Sequence, residues 1–195
     1  MRYEKSIRIL HILLLLTVLS QLATELFMQV PKPGEAADHF ALFLFSIHWV
    51  IGFFVVIICL AYLMLVMDKV EHRNRLFPWL EKDLRASLLI EAKRDIPGWL
   101  KGKLPSPDQA HLIAGTVHGL GLLLATALGM TGVIIYLGIK HDGSMPPAIR
   151  AIREIHEVLG IMLWLFIVGH LLMATLHQIK GHRVLQNMFT KNGDS

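Results

Sequence analysis

The sequence predicts an all-α integral membrane protein, a bundle of four spanning helices in a single domain covering residues 1–195. Three observations carry that expectation. Hydrophobic residues make up 54% of the 195-residue chain and charged ones only 17%, with a mean hydropathy of +0.53, a balance outside the usual range of soluble domains. The apolar residues fall into four runs, each long enough to cross a hydrocarbon core of about 30 Å at about 1.5 Å per helical residue. Proline and most of the charge gather between the runs rather than within them. A net charge of +4 would suggest nucleic acid for a soluble chain. In a membrane chain it reads as loop charge on one side of the bilayer, and no nucleic-acid partner is expected. Cys59 is the single cysteine, which leaves neither disulfides nor a cysteine-held cluster.

The first helix is expected over about residues 7–28, after the basic leader MRYEKSIR. The run resembles a secretory signal, but no A-x-A-like cleavage site follows and Glu25 stands where small residues are wanted, so a retained helix is the better reading. His11 lies one turn inside its basic end. Pro31, Pro33 and Gly34 turn the chain. The second helix spans about 40–67, with His48 a third of the way in and Gly52 one turn later on the same face. A residue without a side chain there lets a flat ligand approach the backbone; it equally eases helix packing in a membrane.

Residues 68–109 form a polar loop with nine Lys or Arg between Asp68 and Asp108. Leu76, Leu80, Leu84 and Leu88 recur at i, i+4, which suggests an amphipathic helix at the membrane surface anchored by Trp79 and Trp99. Pro97, Gly98, Pro105 and Pro107 are expected to break it. The third helix, about 110–139, holds six glycines and carries His111 at its start and His118 two turns deeper. The connection 140–152 contains Pro146 and Pro147. The fourth helix, about 153–179, includes 22 residues between Glu157 and Lys180 with no Asp, Glu, Lys or Arg, and it carries His156, His170 and His177. Lys and Arg number three in the leader, nine in the loop and three in the tail, against Lys32 alone in the first connection and three in the last. That pattern puts both termini and the 68–109 loop in the cytoplasm.

Histidine is the unusual component, with 11 copies against 4 Trp and 3 Tyr. His in a spanning helix is by default a functional candidate, because an ionisable side chain facing lipid is costly. His156 and His170 are fourteen residues apart, close to four whole turns, so both imidazoles share one face at levels about 21 Å apart. With the topology above, His11 pairs in depth with His170 near the inner side, and His48 with His156 near the outer side. Two neutral imidazoles on opposite faces of an iron porphyrin make a low-spin b-type haem with no open position for substrate, so its chemistry is electron transfer. Two such haems stacked across a bilayer form an electron path. The expected axial ligands are therefore His11, His48, His156 and His170. His177, seven residues past His170 on nearly the same face, is an alternative inner ligand. His118 is read as a contact to a quinone, or as a hydrogen-bond partner of a haem propionate or of a helix carbonyl. His39, His72, His111, His141 and His182 are expected to be solvated. Glu25 is an interfacial acid or a proton relay, and Cys59 a packing residue.

On these residues the chain resembles the prokaryotic cytochrome b561 family, whose relatives include the b-type cytochrome subunits of membrane hydrogenases. The resemblance rests on His156-Glu157…Gly169-His170, on His48-x-x-x-Gly52 and on His118…Thr131-Gly132. It covers the four helices but not the loop from Asp68 to Asp108, and His11 is followed by Ile12 where Trp is frequent. The family implies a four-helix membrane domain enclosing two b haems, held by histidines of helices one, two and four. It also implies a bacterial inner-membrane location, electron exchange with a quinone pool, and a redox partner protein at one membrane face. Two functional readings follow: a free-standing electron carrier or quinone-linked oxidoreductase, and a membrane anchor of a larger respiratory enzyme such as a hydrogenase-type complex. A third, of another class, is a His-lined ion or metal transporter without haem. It predicts polar residues along the helix interiors, and these are nearly absent between the histidines.

Overall fold

The computed structural model describes residues 5–34, 36, 38–99, 111–140 and 142–181. Helices α1 (Lys5–Glu25), α2 (His39–Asp68), α5 (His111–Gly138) and α6 (Pro147–Ile179) are the four long ones, joined in the middle by the shorter α3 (Val70–Leu76) and α4 (Lys82–Trp99). Among the described residues there is no strand. The four long helices are each apolar and long enough to span a membrane. In lipid a backbone must satisfy its own hydrogen bonds, which is why such apolar runs fold as helices.

The boundaries follow local chemistry. Asp38 accepts a bond from the Ala41 N–H at 3.1 Å and caps the start of α2, as a short acceptor preceding a helix should. α1 ends at Glu25 rather than near residue 28, and residues 26–27 form a turn. α6 begins six residues before the expected start, at Pro147. Proline suits a first helical position, where its missing N–H has no intrahelical partner to lose. Pro146 and Pro147 therefore start this helix instead of standing clear of it.

The polar loop departs from its expected form. The leucine series does not lie on one helix. Leu76 ends α3, Leu80 sits in the 3₁₀ turn Pro78–Leu80, and only Leu84 and Leu88 belong to α4. Pro78 is the cause: it disfavours helical geometry at the residue before it, and Phe77 takes φ −125° and ψ 55°. Conversely, Pro97 and Gly98 do not break α4, which runs to Trp99. Pro97 lies within the last turn, so few helical bonds remain for it to disrupt. Pro105, Pro107, His141, His182 and the tail lie outside the described residues.

The contacts of the chain fall into two units, one formed by Ile9–Ala61 with Leu123–Phe166, the other by Met1–Arg8, Tyr62–Leu122 and Ile167–Ser195. In the second, α3 and the 3₁₀ turn pack on the start of α5. A Cβ on Gly115 would strike the Arg75 carbonyl, and one on Gly119 the Leu76 carbonyl. Glycine at these positions allows backbone to meet backbone. Leu76, Phe77 and Pro78 are buried there. The inward face of α4 is not purely apolar. Glu91 and Asp95 are buried, and the Glu91 carboxylate accepts the Ile113 N–H at 2.9 Å. The first turn of a helix carries unpaired N–H groups and partial positive charge, so a carboxylate is suited to it.

In the first unit four helix segments form a closed circuit. α1 meets α2 through Gln21, whose Nε2 donates to the His48 carbonyl at 2.9 Å. α2 meets α5 where Gly129 faces Val56 and Trp49 stacks on Tyr136 at 4.5 Å. α5 meets α6 where Gly138 faces Ile149. α6 returns to α1 through Trp164, whose Nε1 donates to Glu25 at 3.2 Å. The α1–α2 and α5–α6 turns also touch. Gly143, at φ +78°, comes so close to the Pro31 carbonyl that a Cβ would lie 2.8 Å from it.

Candidate functional site

Within this circuit lies a cavity of about 460 Å³, in the size range of cofactor sites. Its walls are mostly apolar and include Val18, Leu22, Phe45, Leu128, Val133 and Leu163. His48 on α2 and His156 on α6 line it, with Gly52 and Gly132 beside them. Two imidazoles on different helices thus reach one greasy chamber.

Each of these histidines is held by a threonine on the neighbouring helix. His48 Nδ1 lies 2.9 Å from Thr24 Oγ1 on α1, and His156 Nδ1 lies 2.8 Å from Thr131 Oγ1 on α5. The direction of these bonds follows from what else the hydroxyls touch. Thr24 Oγ1 is 3.0 Å from the Ser20 carbonyl, and Thr131 Oγ1 is 2.9 Å from the Ala127 carbonyl. A carbonyl only accepts, so each hydroxyl hydrogen is spent on it and the oxygen accepts from the ring. Both rings then carry their proton on Nδ1, and in both Nε2 keeps its lone pair.

The small residues serve two purposes. A Cβ at Gly132 would lie 3.3 Å from His156 Cε1, so this glycine makes room for the ring. A Cβ at Gly52 would lie 3.0 Å from Gln21 Nε2, so Gly52 admits the side chain that bridges to the His48 carbonyl as well as opening the cavity wall. Polar groups sit at the chamber's margin. Glu25, Arg153 and Glu157 line it, with Arg153 Nε donating to Glu157 Oε1 at 2.8 Å.

The other unit holds a second histidine pair. His118 and His170 stand edge to face with ring centroids 5.0 Å apart. His118 Nδ1 donates to the Ala114 carbonyl at 2.6 Å, one turn back on its own helix. His118 is therefore brought against a proposed iron ligand. His11, half-buried on α1, belongs to the unit of Ile9–Ala61. His177 is half-buried in the last turn of α6. His39 and His111 are exposed, while His72 is half-buried; its surroundings are more protein than the solvated reading of the loop expected. Among the described residues no three His, Cys, Asp or Glu side chains gather as a metal-ion site.

Sequence reasoning passed over Gln21, Thr24 and Glu91. Gln21 and Thr24 occupy one face of α1 at i, i+3 (a spacing readable in advance), but nothing in the sequence says that this face meets His48. Thr131 was within a quoted motif without a role attached to it.

The donors suit a flat iron porphyrin. There are two neutral imidazoles, each with its distal nitrogen available, in a chamber otherwise lined by apolar side chains, and bis-imidazole ligation asks for this. Comparisons with curated proteins and with solved structures return no match. A family model described as prokaryotic cytochrome b561 matches residues 2–191. That span takes in every helix described above, including α3 and α4, and the chain belongs to the prokaryotic cytochrome b561 family, membrane proteins that carry b-type haem and transfer electrons.

Proposed function

We propose that the chain is a single dihaem electron-transfer module of a bacterial inner membrane, with both termini cytoplasmic, exchanging electrons with quinone. In this reading His48 and His156 hold the outer haem, and His11 and His170 the inner one. The observation that carries it is the chamber of the first unit, where His48 and His156 both face in with Nδ1 already engaged. A haem held between two imidazoles supplies a one-electron iron couple with no open coordination position. The chain's own residues do the rest. Thr24 and Thr131 orient the imidazoles, the apolar walls exclude water, and Arg153 at the margin offers positive charge to an anionic substituent. His118 stands beside His170, and with its Nδ1–H given to the Ala114 carbonyl its Nε2 is left to accept from a quinol hydroxyl or a protonated haem carboxyl group. His177 remains the alternative to His170.

A second reading, a membrane anchor for a larger enzyme, is favoured by α4. Its outward side presents Lys82, Arg85, Lys93 and Arg94 as exposed cations beside exposed Leu89 and Ile90, a surface that suits a protein partner. The two readings share their haem chemistry and part on co-purification.

The test is a spectrum of the dithionite-reduced protein with a haemochrome count per chain. Two b haems are expected. His48→Ala and His156→Ala should each abolish or convert the same haem, and His11→Ala and His170→Ala the other. Folded protein carrying no porphyrin ends the proposal. An inner-haem loss with His177→Ala but not with His170→Ala reassigns that ligand.

A further inference from the structure

The two ligand candidates of the chamber are held by the same device, repeated on different helices. On α1, the Thr24 hydroxyl gives its hydrogen to its own helix and takes one from His48; on α5, Thr131 does the same for His156. Thr24 is buried at 8% exposure, so water does not compete for its hydroxyl. Back-bonding by itself is ordinary for threonine in an apolar helix. Thr17 does it too, with the Leu13 carbonyl at 2.8 Å. What separates Thr24 and Thr131 from Thr17 is the second bond, which in both cases goes to Nδ1 of a chamber histidine.

We propose that Thr24 and Thr131 are positioning residues that fix the tautomer and ring orientation of His48 and His156, so that both present Nε2 to the same bound iron. The inference rests on the haem reading above. Without the hydroxyl, either ring nitrogen can carry the proton, and the ring turns about its χ angles. With it, the Nδ1–H is committed and Nε2 points where the helix spacing places it. Hydrogen-bond donation from Nδ1 also leaves more electron density on Nε2, which favours ferric over ferrous iron. Each threonine thus lowers the potential of that haem as well as holding it.

The experiment uses the full-length holoprotein in detergent. Thr24→Val and Thr131→Val remove the hydroxyl at nearly constant volume; Thr24→Ser and Thr131→Ser restore it; Thr17→Val removes a hydroxyl of the same helix that touches no histidine. Three quantities are read: the rate of haem loss to an excess of a haem-scavenging protein, the midpoint potential of each haem, and the low-temperature resonance spectrum of the ferric form. Both Val variants should weaken retention of one haem by roughly 10- to 100-fold, the usual cost of losing the group behind a metal-bound histidine. They should raise its potential and shift its ferric spectrum, with the other haem unchanged. A tenfold change in the ferric-to-ferrous binding preference corresponds to about 59 mV for one electron. The Ser variants and Thr17→Val should match the parent protein. If either Val variant fails to fold, the paired Ser variant and the remaining Val variant still decide the matter. Val variants with parental retention and potential overturn the positioning role while leaving the haem reading intact. A parent protein without haem overturns the haem reading itself, and the two failures are thereby distinct.

Discussion

Gly132→Ala isolates the tolerance of the chamber for a single added carbon. The new Cβ would lie 3.3 Å from His156 Cε1 and 3.9 Å from its Nδ1. Carbon atoms prefer about 3.5–4.0 Å, so the ring must retreat by about 0.2–0.7 Å. Its bond to Thr131 is 2.8 Å long, and a retreat at the upper end of that range leaves the ordinary hydrogen-bond span of about 2.7–3.2 Å. Functional groups are usually held within about 0.5 Å of their working geometry, so alanine sits at the edge and a larger side chain lies beyond it. Overpacking of this kind costs about 1–3 kcal/mol, or about 5- to 150-fold in haem affinity at about 1.4 kcal/mol per decade. Gly132→Ala belongs near the low end, and Gly132→Val at or beyond the high end. The assay is a titration of the depleted protein with haem, followed in the Soret band for each variant. A Thr131→Val background should make the glycine effect non-additive, since both changes act through one ring. Undiminished binding of two haems by Gly132→Val would refute the claim that this glycine is there to make room for His156.

Three further outcomes follow from the other elements. Gly119→Ala should destabilise the protein by about 1–3 kcal/mol, because the added Cβ meets the Leu76 carbonyl and the Phe77 ring rather than a movable side-chain tip; thermal unfolding in detergent reads it, and an unshifted midpoint counts against the close approach. Glu91→Ala removes the acceptor for the Ile113 N–H and should cost about 1 kcal/mol, as the loss of a helix N-terminal acceptor does, with faster limited proteolysis around α4 as its signature and unchanged cleavage as its refutation. Asp142 is bonded by Ser144, whose side chain and backbone N–H hold its carboxyl below the usual carboxylate range. A depressed folded value means that the contribution is present above the unfolded value and lost as pH falls through the folded one; Asp142→Asn should therefore remove a small acid-side loss of stability, and identical acid profiles would refute that.

What could be read in advance divides by the range of the interaction. The four spanning helices were legible because bilayer thickness and backbone satisfaction leave an apolar run of that length little alternative. His156 and His170 were legible as one face because a helix has a fixed period. The start of α6 at Pro147 and the break at Phe77–Pro78 came out differently, because proline reads as a breaker in sequence while its effect depends on whether it falls at the first turn, the last turn or between helices. Gln21, Thr24 and Glu91 were illegible for another reason. Their roles depend on which face of α1 meets α2 and which face of α4 meets α5, and no local pattern carries that. The same holds for the glycines of α5. Their number was visible, but the backbone carbonyls opposite Gly115 and Gly119 were not.

The hydrogen bonds that prepare the chamber also join its helices, and this ties cofactor binding to stability. Between apolar helices in lipid the hydrophobic effect supplies little, so association depends on packing and on interhelical hydrogen bonds. Four of these gather around the chamber: Thr24 with His48, Gln21 with the His48 carbonyl, Thr131 with His156, and Trp164 with Glu25. At the average of about 0.6 kcal/mol each they supply together only about 2 kcal/mol. The rest must come from packing, to which Gly129 against Val56, Trp49 against Tyr136 and Gly138 against Ile149 contribute. On the proposed reading, a haem bound in the chamber would add to that cohesion by bonding α2 to α6 through His48 and His156 and by packing against the apolar walls. Ligand bound only by the folded state stabilises it by RT ln(1 + [L]/Kd), about 2.7 kcal/mol at a hundredfold excess over Kd. Haem-depleted protein should unfold at a distinctly lower temperature than holoprotein, and added haem should raise the midpoint in proportion to the logarithm of its concentration. His48→Ala with His156→Ala should erase the share of that response due to this chamber. Equal unfolding temperatures with and without haem would show that the helices cohere by packing alone and that the chamber is a rigid receptacle.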